Sequence, residues 1–230
     1  MRHMGTVMAA VAFPLAALTT SAQAQQAGIP VYFNPRGGTG VGAAVNLGFP
    51  NNDAGGGTAY GVAGSFGTGP VTLTGMVGAW KSHGQQWAEP SFGADVAYKV
   101  FGGGLLPLAV AVQAGVGVAA RSVSYCPPPP AACRGGATQT TIPVGVGIGL
   151  DPLLFPLKPW IAPRVEFVSD GGVHASSFRV SAGVNLKLLP GLSVHAAVDW
   201  GEVPSKLNLA APTTVIFGVG AHFNFHVPVT

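Results

Sequence analysis

Two sets of residues in this chain have types and spacings that could do chemistry. The first is the pair Cys126 and Cys133, the only cysteines, which bracket the run Pro-Pro-Pro-Pro-Ala-Ala. A structural metal site wants four ligands, and no histidine or second cysteine pair stands nearby. In an exported chain, two close cysteines instead form one disulfide that stiffens a loop tip. The second set is His83, Glu89, Asp170, His174 and Glu202. General acid–base work needs such groups within hydrogen-bond reach of one another or of a substrate. Here they are scattered over the stretches 81–90, 170–174 and 201–213, and no spacing demands a shared proton. They read as solvated loop side chains. The Gly-Gly-Gly runs at 55–57 and 102–104 are not followed by a helix, so they are turn material and not a phosphate loop. No catalytic, cofactor-binding or metal residue is assigned, and no cofactor is expected.

What must position these residues is visible first at the N-terminus. Arg2 and His3 precede an uncharged apolar run over 7–18, and Ala22-Gln23-Ala24 supplies the small–x–small pattern of a signal-peptidase site. The run is too short for a spanning helix. Residues 1–24 are therefore read as a signal peptide cleaved after Ala24, and residues 25–230 as one domain. Charged residues make up 8% of the chain, with 35 glycines and 20 prolines, and mean hydropathy is +0.42. A water-soluble domain carries about 25% charge, so much of this surface faces something other than water. The net charge of +3 comes from few groups and gives no reason to expect nucleic acid. Residues 100–120 are uncharged and long enough for a membrane helix, but they hold three consecutive glycines, Pro107, Gly115 and Gly117. Their period of two is useless to a helix.

That period recurs along the chain. Over 215–225, Val215, Phe217, Val219, Ala221, Phe223 and Phe225 alternate with Ile216, Gly218, Gly220, His222 and Asn224. The same pattern runs through 108–121, 142–150 and 178–188. Successive strand side chains point to opposite faces, so each segment has one apolar face. Ten strands are predicted, at 40–48, 58–66, 71–80, 91–101, 106–122, 141–150, 159–169, 175–188, 192–200 and 214–225, most of them long enough to cross hydrocarbon when tilted. Eight charges fall inside them: Asp95, Lys99, Arg121, Arg164, Glu166, Arg179, Lys187 and Asp199. All eight lie on the parity opposite the apolar face. A charge facing the bilayer midplane costs about 2–4 kcal/mol, which explains the one-sided placement. The expected fold is all-β: a closed, antiparallel, up-and-down transmembrane barrel of about ten strands, or eight if the first pair is misassigned.

These alternating strands, and the aromatic last one over 215–225, resemble the superfamily of small outer-membrane β-barrel proteins that includes the OmpA-like membrane domain. The resemblance covers residues 30–225 and implies a bacterial outer-membrane location, outer-membrane lipid as surroundings, and insertion by the barrel-assembly machinery. Five residues follow Phe225, where the family usually ends on Phe. Connections running mostly long, short, long, short put the long ones outside and both termini on the periplasmic side. Ten-stranded outer-membrane proteases carry Asp and His/Asp pairs at the outer rim, and lipid A deacylases a Ser/His pair facing lipid. Neither arrangement is recognisable here, so no enzyme is expected.

The inward charges are read as lumen packing, with Arg164, Glu166 and Arg179 able to cluster, because small barrels are just wide enough for their side chains. Trp80, Trp160 and Trp200 stand at strand ends and are expected in the interfacial girdle, with Trp87 in the loop beyond. The expected function is that of a non-enzymatic, monomeric barrel with a structural or surface-interaction role. A narrow porin-like passive channel is the alternative, and a rim-site hydrolase a more distant one.

Overall fold

The computed structural model describes residues 26–31, 40–103, 106–120, 138–150, 156–203 and 212–225. The signal-peptide assignment over 1–24, the pair Cys126 and Cys133, and Arg121 lie outside the described residues.

Ten strands form: β1 (Gly40–Pro50), β2 (Thr58–Thr68), β3 (Val71–Lys81), β4 (Glu89–Gly103), β5 (Leu106–Ala120), β6 (Thr138–Leu150), β7 (Leu157–Asp170), β8 (Val173–Leu189), β9 (Leu192–Glu202) and β10 (Thr213–Phe225). Each predicted strand begins and ends within three residues of an observed one. Each pairs antiparallel with its sequence neighbours, and β1 closes on β10 from Val41↔Phe225 to Pro50↔Ile216, giving a closed up-and-down barrel. Closure leaves no unpaired edge, the condition for β-structure in a bilayer. The ten-strand reading holds and the eight-strand alternative falls.

The apolar parity faces outward. Phe66, Phe178 and Phe217 are each more than half exposed, as is Val100, and the outward residues of every strand contribute to one apolar belt. In water such a surface would demand a partner; against lipid it is the favourable face. The inward parity carries Gly, Ala, Ser and the charges. The strands, longer than expected, take in Lys81 and Glu202 on the outward parity, each at a strand end.

Two-residue connections join strands at one end (69–70, 190–191), here the turn end, and one of the same length, 171–172, joins β7 to β8 at the other. Most of the longer ones gather at that other end, the loop end. A short 3-10 turn (Asn52–Ala54) there is capped by Asn51, whose Oδ1 accepts from Ala54 N at 2.9 Å and from Val215 N at 3.2 Å. The cap ties the first loop to β10.

Candidate functional site

Among the described residues, the lumen gathers the largest set of hydrogen-bonded polar side chains, and its two walls are built differently. On β7–β10 the register sets Arg164 directly opposite Arg179, Arg179 opposite Gly201, and Gly201 opposite Thr214. Two facing arginines would repel without the acids around them. Arg164 donates through Nε to Glu166 Oε1 at 2.7 Å, through Nη1 to Ser181 Oγ at 2.6 Å, and through Nη2 to Asp199 Oδ2. Arg179 donates to Asp199 Oδ1 through Nη2 at 2.7 Å and Nε at 2.9 Å, and through Nη1 to Thr214 Oγ1 at 2.8 Å. Glu166 Oε2 lies 3.6 Å from Arg179 Nε. Ser181 donates to Asp199 Oδ2 at 2.6 Å, and Thr214 to Gly201 O at 3.0 Å.

Two positive and two negative groups thus balance, all buried, with Asp199 fully so. Glycines on the flanking strands make room for them. A Cβ at Gly145 would sit 2.6 Å from Arg164 Cβ, and one at Gly201 2.6 Å from Arg179 Cγ. The expected cluster of Arg164, Glu166 and Arg179 is present, and Asp199, Ser181 and Thr214 complete it.

On β1–β4 the lumen wall is a floor of small residues. Gly61 pairs with Gly78 and Gly78 with Ser91, while Gly48 pairs with Ala59. Against it lies a segment the sequence did not place, residues 26–31. Gln26 Nε2 donates to the carbonyls of Val62 and Val77 at 3.3 and 2.5 Å, and Ala27 N to Ser91 Oγ at 3.3 Å. A turn closed by Ile29 N to Gln26 O at 3.2 Å puts Gly28 at φ +73°, a conformation natural to glycine. Gln26 and Ile29 are 3% and 2% exposed, so the segment is inside the barrel.

Two tryptophans expected in the girdle also point inward. Trp80 packs on Gly28 and Gly55 and donates its indole N–H to Gly56 O at 2.9 Å. Trp160 is buried in an apolar layer with Ala97, Ala111, Ala162 and Ala197, where Gly183 makes space for its ring. The cause is parity: Trp80 shares the face of Gly78, and Trp160 that of Arg164. Trp200 alone of the three faces outward, half exposed.

Toward the turn end a cavity of about 160 Å³ opens, lined by Asn46, Thr72, Asp95, Asn185, His195 and His222 among alanines and other apolar residues. His195 and His222 were not singled out from sequence. Their ring centroids are 5.3 Å apart and their Nδ1 atoms 3.1 Å apart, so the two Nδ1 atoms face each other. His195 Nε2 lies 2.9 Å from Asn46 Oδ1. An oxygen there accepts, so the His195 tautomer that donates to it through Nε2 is the one that can accept from His222 through Nδ1. Thr74 bonds to Asp95. Lys99 is half-buried on the inward parity, and Lys187 lies on that parity but exposed beside the turn.

The rim residues do not converge. Glu89 is buried and accepts from Gln85 Nε2 at 2.8 Å. Asp170 has inward parity whereas His174 and Glu202 have outward parity and are exposed. Among the described residues, no three His, Cys, Asp or Glu side chains form a group that could hold a metal.

No protein-family model matches the chain, and no curated protein matches it in sequence. Solved structures do match. The β domain of the Bordetella autotransporter BrkA superposes with a TM-score of 0.52 at 13% identity, covering 82% of this chain and 100% of that one. The N-terminal barrel domain of Pseudomonas aeruginosa OprF gives a TM-score of 0.42 at 15% identity, covering 83% and 100%. Neisserial surface protein A gives 0.40 at 12%, covering 80% and 96%. The fold is that of outer-membrane β-barrels, and the chain is a membrane β-barrel protein.

Proposed function

We propose that the chain is a closed, non-conducting barrel of the bacterial outer membrane, with a structural or surface-interaction role and no catalysis of its own. One observation carries the reading: buried, bonded groups stand in the lumen against both walls, the balanced cluster around Asp199 on β7–β10 and residues 26–31 on β1–β4. Burying an ion-paired network is worthwhile only if its lone pairs and protons are satisfied; here the two guanidinium groups meet Glu166, Ser181, Asp199 and Thr214. A surface role is supported by Trp87, which stands 82% exposed in the loop between β3 and β4. The opposed parities of Asp170 and His174 count against a hydrolytic pair. The barrel-assembly machinery remains the expected insertion partner, and a monomer the expected state.

Purified protein refolded into planar bilayers is expected to show no steady open level, and steady conductance would overturn the reading. Orientation is tested separately. On intact cells, a cysteine at Asn52 is expected to react with a membrane-impermeant maleimide and one at Thr68 not to. The reverse pattern would put the loop end inside.

A further inference from the structure

We propose that residues 26–31 are a displaceable plug, and that their release turns the closed barrel into a pore for small uncharged polar solutes. The proposal rests on the closed-barrel reading and adds to it a second state.

The wall beneath the segment is shaped to receive it. A Cβ at Gly61 would lie 2.3 Å from Gln26 Nε2, one at Gly78 3.0 Å from the same atom, and one at Gly48 2.0 Å from Gly28 O. Alanine at any of the three would crowd the segment, and all three glycines have inward parity. Conformational freedom is not the reason for glycine there, since none of the three has a positive φ. Close approach of a second chain segment is the reason that remains at Gly48 and Gly61, whereas at Gly78 the carbonyl of Tyr60 on β2 comes closer still, at 2.8 Å.

Among the described residues, the hydrogen bonds that hold the segment to the barrel are two from Gln26 and one from Ala27 to Ser91. None belongs to the strand ladder, which is complete without residues 26–31 because β1 pairs with β2 on one side and β10 on the other. Barrel closure therefore does not depend on the plug.

Removing it would expose the floor of Gly48, Ala59, Gly61, Gly78 and Ser91. Side chains fill a small barrel's interior, and this floor has almost none to offer. The cavity of about 160 Å³ is itself lined in part by Gln26, Pro30 and Val31, so their departure would extend it along the wall toward the loop end. The opposite wall carries balanced charge, and Asp95 and Lys99 on β4 are of opposite sign. Such a lining favours neither cations nor anions, whereas Asn46, Asn185 and Thr72 offer hydrogen bonds to an uncharged polar solute.

The test replaces residues 26–31 in the full chain with Gly-Ser-Gly-Ser-Gly-Ser, leaving every strand residue unchanged. The readouts are planar-bilayer conductance and swelling of proteoliposomes in arabinose, on protein first shown to migrate as a heat-modifiable barrel. The expected result is steady open levels and arabinose entry for the variant, and neither for the unmodified protein. A folded variant that stays closed overturns the plug and leaves the closed-barrel reading intact. A variant that no longer forms a heat-modifiable barrel also overturns it, since the segment would then be part of the fold. Steady conductance in the unmodified protein sinks both.

Discussion

The two lumen walls solve one problem by opposite means. On β7–β10 the strands themselves supply long charged side chains that interlock across three ladder registers. On β1–β4 the patch formed by Gly48, Ala59, Gly61, Gly78 and Ser91 supplies almost no side chain, and a separate segment fills the space above it. The charged wall is integral, because each guanidinium and each carboxylate depends on the others for its solvation. The small-residue wall is modular, because its occupant can be subtracted without leaving a buried charge. Filling a barrel with its own side chains builds stability into the fold, while filling it with a segment leaves a second state within reach.

The largest effect should therefore fall on the charged wall. Asp199 meets both arginines and Ser181, so Asp199→Ala would strand two buried cations. Breaking a buried pair in this way costs about 3–5 kcal/mol. Urea unfolding in lipid vesicles, followed by heat-modifiable migration, should show that loss. A loss of under about 1 kcal/mol, the value of an exposed pair, would mean that water reaches the cluster and that the two walls are not different in kind.

A smaller effect is expected from the glycines that seat the cluster. Gly201→Ala puts a methyl 2.6 Å from Arg179 Cγ and 2.9 Å from Phe178 O, whereas Gly64→Ala meets nothing within 4 Å. Overpacking of the first kind costs about 1–3 kcal/mol, and the second should stay within about 0.5 kcal/mol. Equal effects at the two positions would show that Arg179 simply moves aside and that the charged wall is looser than its hydrogen bonds imply.

How much of this was legible in the sequence follows the same division. Period-two alternation specifies which face each strand residue takes, so all ten strands and the inward side of Arg164, Glu166, Arg179 and Asp199 could be read directly. That Asp199 joins the arginines required the β8–β9 register Ser181↔Asp199, which no local pattern contains. The meeting of His195 with His222 likewise needs the β9–β10 register, although both lie on the glycine-rich parity. Trp80 and Trp160 stand at strand ends, which points to the girdle, but their parity turns both inward. Residues 26–31 left no trace, since an irregular segment bound by side-chain-to-backbone contacts has no periodicity. Their signal was indirect: glycines at 48, 61 and 78 on an inward face, where turn geometry gives no reason for them.

The smallest effect, and the sharpest for the comparison, is Gln26→Ala. The substitution removes the two bonds from Nε2 to Val62 O and Val77 O, but both carbonyls belong to residues already paired in the β2–β3 ladder. No buried charge is left behind, and two neutral hydrogen bonds at about 0.5–1.5 kcal/mol each set a ceiling of about 1–3 kcal/mol. Because the strand ladder does not depend on the segment, barrel unfolding should shift by less than that ceiling, and by less than for Asp199→Ala. Protection of the segment itself should fall further. A cysteine at Ala27 should react faster with a small water-soluble thiol reagent in the Gln26→Ala background than in the native one. If unfolding stability drops as far as for Asp199→Ala, the segment is integral after all and the two walls share one design. If the cysteine stays equally protected, Gln26 is not the anchor, and the apolar burial of Ile29 and Val31 holds the segment instead.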